Sequence, residues 1–66
     1  LKNYNKVITY ASIVLRSNSS SSDALMLRGL AYYNLKRNAE AKADLNRIQN
    51  DPKYGKQVQS LLKAIK

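Results

Sequence analysis

Few side chains in this sequence can do chemistry. Four carboxylates, Asp23, Glu40, Asp44 and Asp51, stand against twelve lysines and arginines and five tyrosines, with no histidine and no cysteine. That composition removes thiol nucleophiles, disulfides, imidazole or thiolate metal ligands and histidine acid–base chemistry. The four acids are scattered, and no two of them make a pair suited to general acid–base work. No glycine-rich phosphate loop is present. The residue types therefore point away from an enzyme, a metal site or a cofactor, and towards binding.

Charge is the first clue to what is bound. The net charge is +8, unevenly spread. Residues 1–22 carry Lys2, Lys6 and Arg16 with no acid, and residues 52–66 carry Lys53, Lys56, Lys63 and Lys66 with no acid. Such a balance favours acidic partners or nucleic acid. In a nucleic-acid reading, the four C-terminal lysines would contact phosphates. Tyr54, flanked by Lys53 and Lys56 in a turn, would be the tyrosine placed to stack on a base. Tyr4, Tyr10 and Tyr32 are assigned to core faces instead. The plainer alternative is a solvated basic surface.

The elements that must position these residues read as helices. Tyr4, Val7, Ile8, Ala11, Val14 and Leu15 recur at steps of three and four, so residues 4–15 form an amphipathic helix. The run RSNSSSSD competes for backbone hydrogen bonds and reads as a loop, with Ser22 or Asp23 as the next N-cap. Residues 23–35 form a second helix with Gly29 inside it, a cost of about 1 kcal/mol that a closely approaching helix would justify. Residues 36–38 make a turn. Residues 39–50 form a third helix with Ala41, Leu45 and Ile48 on one face, and Pro52 ends it. Residues 53–65 resume the pattern through Val58, Leu61, Leu62 and Ile65. Short connections make successive helices antiparallel neighbours.

A repeat underlies this pattern. Leu1-Lys2 and Leu35-Lys36 lie 34 residues apart, and the offset maps Tyr4 on Asn38, Val7 on Ala41, Ala11 on Leu45 and Val14 on Ile48. The stretch ALMLRGLAYYNLKRNAEAKADLNRIQNDP places Leu25, Gly29, Tyr32, Ala41, Leu45, Ile48 and Pro52 at the spacing of a tetratricopeptide repeat, the family this chain resembles. It departs at Leu25, where tryptophan is commonest, at Arg28, where leucine is usual, at Ile48, bulkier than the usual alanine, and at Pro52, which comes one residue early. The pentatricopeptide repeat, an RNA-reading relative in period, fits less well, because its characteristic ending is absent from LNRIQNDP.

The resemblance implies an all-α fold: antiparallel helical hairpins stacked as a right-handed solenoid segment of four helices. Residues 1–21 would be the second helix of a preceding repeat with its loop, 22–52 a full repeat, and 53–66 a following or capping helix. It implies a concave groove lined by Asp23, Met26, Leu30, Tyr33 and Asn34, then Gln57, Ser60 and Ala64. Met26, Leu30 and Tyr33 share one helical stripe, which either accepts an apolar partner segment or packs against another helix of the same protein. The implied function is a scaffold that binds a partner peptide, helix or unfolded segment. The run SDALMLRGLAYYNL is similar to repeat regions of DnaJ-type co-chaperones, so a co-chaperone or multiprotein assembly is one implied setting. The clamp asparagine that some members use for acidic C-terminal tails is not visible.

Further expectations follow. A single repeat with flanking helices leaves apolar faces at both ends, so self-association is expected. No apolar run reaches the roughly 18–20 residues that cross a bilayer, so no membrane insertion is expected. The chain does not begin with Met and reads as a piece of a longer one, so targeting signals could lie outside it. A cytoplasmic location is favoured, while Asn18-Ser19-Ser20, a formal glycosylation triplet, leaves a lumenal one open.

Overall fold

The protein is described by a computed structural model covering residues 3–65. Among these residues the chain is all-α, with four helices and no strand: α1 (Tyr4–Ser17), α2 (Ser22–Asn34), α3 (Asn38–Asn46) and α4 (Gly55–Ala64). Helix α2 packs against α1 on one side and α3 on the other, and α4 packs more thinly against α3. The result is the helical-repeat-like stack expected from the short connections.

Local chemistry sets the helix ends. The Asn3 side chain caps α1 by accepting the Lys6 N–H at 3.1 Å. The cap of α2 is Ser21, whose hydroxyl oxygen accepts the Ala24 N–H at 3.2 Å, one position before the two residues expected from sequence. Ser22 instead donates its hydroxyl to Asp51 at 2.6 Å. Helix α2 stops in a left-handed turn. Lys36 has φ 62°, the Arg37 N–H donates to the Tyr32 carbonyl at 2.8 Å, and the Lys36 N–H donates to the Tyr33 carbonyl at 3.0 Å. This is the paired closure that usually recruits glycine.

The third helix is shorter than its apolar pattern predicts. It ends at Asn46 rather than 50, because the ladder tightens to three-residue steps. Arg47, Ile48 and Asp51 donate to Asp44, Leu45 and Ile48 respectively. The turn into α4 is organised by Asp51. Its carboxylate accepts the N–H groups of Lys53 and Tyr54, both at 2.9 Å, while Pro52 occupies the place where no N–H is needed. Regular α4 begins only at Gly55.

The core joins all four helices through Ala11, Leu15, Ala24, Leu25, Met26, Ala41, Leu45, Ile48, Val58 and Ile65. Small residues set the spacing. A Cβ at Gly29 would stand 2.7 Å from Leu45 Cδ2 and 2.9 Å from its Cγ, with Leu45 fully buried. Glycine is what lets α2 lie this close to α3, as its position within a helix suggested.

Candidate partner-binding surfaces

The residues expected to form a groove separate into two groups. Met26 is only 7% exposed and belongs to the core, so it offers nothing to a ligand. The i, i+4, i+7 spacing of Met26, Leu30 and Tyr33 is real, but the Met26 end of that stripe is covered. Leu30 and Tyr33 are half-buried and lean on the core. Asn34 is exposed, although its side-chain amide donates to the Leu30 carbonyl at 2.8 Å.

Tyr33 and Asn34 share one hollow with the end of α4. With Lys36, Asn38 and Ala64 they line an open depression of about 450 Å³ between the ends of α2 and α4. Gln57 and Ser60 are exposed on α4 and do not line it.

Asp23 lies at the other end of α2 and is already engaged. Its carboxylate accepts the Tyr54 hydroxyl and lies 3.4 Å from Lys53 Nζ. These two partners, the tyrosine first, hold the Asp23 carboxyl below its ordinary range. Asp51 is likewise held low, chiefly by the Ser22 hydroxyl and then by the Tyr54 N–H. The start of α2 and the turn before α4 are thus tied together by two carboxylates.

That tie changes the basic patch. Lys53 Nζ lies 5.0 Å from the centre of the Tyr54 ring and is also paired with Asp23. The tyrosine singled out as a base-stacking candidate therefore has its hydroxyl bonded and one face covered by a lysine. Lys56 and Lys63 are exposed on α4. Lys66 lies outside the described residues.

The sequence reading missed the buried ion pair. Arg28 of α2 grips Asp44 of α3 with two prongs, Nε to Oδ2 at 2.7 Å and Nη2 to Oδ1 at 2.8 Å, and its Nη1 donates to Ser12 of α1 at 3.1 Å. Asp44 is 4% exposed. The bonds to Asp44 raise the Arg28 pKa above its ordinary value. Tyr32 is flanked by the guanidiniums of Arg37 at 4.9 Å and Arg28 at 6.0 Å. The one legible signal was an arginine inside an otherwise apolar helix.

Also missed was an apolar face on α1. Tyr10 was assigned to the core, yet it is 69% exposed, with Ile13 54% and Leu27 50% exposed beside it. The core face of α1 runs through Ala11 and Leu15, which turns Tyr10 outward. Together with Val7, these side chains line a shallow groove of about 800 Å³ along α1.

Among the described residues no three acids come together, and no helix is long and apolar enough to cross a membrane. No family model matches the chain, and no curated protein or solved structure shows significant similarity to it.

Proposed function

We propose that this chain is a protein-interaction module of a tetratricopeptide-like scaffold, holding a partner segment in the hollow between the ends of α2 and α4. The observation that carries the reading is the depression lined by Tyr33, Asn34, Lys36, Asn38 and Ala64. An aromatic ring, two carboxamides and a cation around one hollow suit a peptide that brings an apolar side chain and a polar backbone. The motif spacing around Gly29 and Ala41 supports the same assignment. A co-chaperone or multiprotein assembly is the setting this reading favours.

The test is fluorescence anisotropy. A labelled extended apolar peptide and a labelled single-stranded RNA are each titrated at about 50 and 200 mM salt, a range over which phosphate-driven binding falls steeply. Peptide binding that survives the higher salt and is lost in Tyr33→Ala supports the module. RNA binding that collapses with salt and weakens on charge reversal at Lys56 and Lys63 sinks it in favour of a basic nucleic-acid surface.

A further inference from the structure

The exposed groove on α1 lies apart from the Tyr33 depression, and its chemistry differs. Val7, Tyr10 and Ile13 recur every three residues along α1, and Leu27 of α2 forms the opposing wall. An apolar ridge on α1 with a single leucine of α2 beside it makes a shallow trough that fits the side chains of a third helix lying along it. From Asn3 to Ile13 the groove follows about 15 Å of helix, or three turns. An extended strand sends alternate side chains to opposite faces and would meet this surface only at every second residue, whereas a helix presents a continuous stripe along it.

Charge narrows the occupant. Lys6 lines the groove and Arg16 follows one turn beyond Ile13, and among the described residues neither has an ion-pair partner. No carboxylate lines the groove. A second copy of this chain is a poor occupant, because each copy carries +8 and each of its four carboxylates already has a partner within its own chain. Asp23 is held by Tyr54, Glu40 by Arg37, Asp44 by Arg28 and Asp51 by Ser22.

We propose that the α1–Leu27 groove docks an acidic amphipathic helix of another protein, its aliphatic residues seated between Tyr10, Ile13 and Leu27 and its carboxylates beside Lys6. This reading does not depend on the Tyr33 depression. Occupation buries the exposed apolar side chains of Tyr10, Ile13 and Leu27 and neutralises an uncompensated cation in one step.

The experiment uses the whole chain and three labelled synthetic peptides of about 16 residues. One has leucines at helical i, i+3, i+4, i+7 spacing with glutamates elsewhere. The second scrambles that composition, and the third replaces glutamate by lysine. The first is expected to bind at least about ten-fold more tightly than the other two. Ile13→Asp, on an exposed position, should weaken it about ten-fold without moving the thermal melt, and Lys6→Glu should weaken it several-fold. Equal binding of the ordered and scrambled peptides would mean a general charge effect and overturn the proposal, as would indifference to Ile13→Asp. Two other results overturn it as well: a dimer in sedimentation that Ile13→Asp dissociates, or a labelled oligouridine that outcompetes the first peptide.

Discussion

Arg28 and Asp44, sixteen positions apart on adjacent helices, form a two-pronged ion pair of 2.7 and 2.8 Å, and the same guanidinium reaches Ser12 on a third helix. One side chain thereby sets the relative placement of α1, α2 and α3. The two partners are not equivalent. Asp44 is nearly fully buried, whereas Arg28 retains access to water.

Removing the cation should therefore hurt more than removing the anion. Arg28→Met leaves a buried carboxylate alone and is expected to cost about 3–5 kcal/mol. That approaches the whole stability of a domain this small. Asp44→Leu should cost less, since the guanidinium can turn to solvent. The double variant should recover part of the Arg28→Met loss, because apolar replacement of a complete buried pair is often tolerated. Urea unfolding followed by circular dichroism decides it, and a double variant no better than Arg28→Met would refute the argument.

Gly29 invites the opposite of its helix propensity. Alanine would gain about 1 kcal/mol within an isolated helix. Here its methyl would strike the buried Leu45 side chain, an overpacking cost of about 1–3 kcal/mol. Net destabilisation is expected, with Leu45→Val partly relieving it. A double-mutant cycle on melting temperature would show a coupling between the two sites, and strict additivity would contradict the close approach.

Lys36 occupies a backbone conformation that L-residues adopt at a cost of roughly 1–2 kcal/mol. Lys36→Gly should stabilise the chain by up to about 1 kcal/mol after its larger unfolded-state entropy is subtracted. Lys36→Val, branched at Cβ, should destabilise it. A higher denaturant midpoint for glycine and a lower one for valine is the expected pattern.

Acid should loosen the link between α2 and α4. Asp23 and Asp51 titrate below their ordinary range when folded, held by the Tyr54 and Ser22 hydroxyls respectively. As pH falls, the unfolded chain therefore takes up protons first, and stability declines. It should be full above about pH 5 and fall as pH drops through the lowered values beneath about 4. Asp51→Asn can still accept the Lys53 and Tyr54 N–H groups but does not titrate. Thermal melts between about pH 3 and 7 should show a shallower acid loss in that variant, and an unchanged slope would count against it.

Particular residues show how far the pattern could be read. Ala11, Leu45, Ile48 and Val58 were expected inside and are buried. Helical periodicity identified their face, and Gly29 marked where helices meet. Tyr10 came out reversed, and of the two readings open to Met26 the packed one holds. Periodicity divides a helix into faces, but α1 buries a narrow strip through Ala11 and Leu15, and α2 is covered from both sides. A tyrosine on the border of the first falls outside, and a methionine on the border of the second falls inside. Ile13 escaped notice because it shares its stripe with Tyr10, which was placed on the core face, and Leu27 because it joins that stripe only when α1 and α2 are laid together.

By itself, then, the amino-acid order determined four helical segments, the approximate places where they break and the small residue where α2 meets α3. Each of these follows from three- and four-residue spacing, from proline and from capping groups that act within a turn. Tertiary packing alone decided that Arg28 would find Asp44, that Tyr54 would spend its hydroxyl on Asp23, and that Tyr10, Ile13 and Leu27 would share an open groove. Those partners lie on different helices, and nothing local in the chain records how the helices turn towards one another.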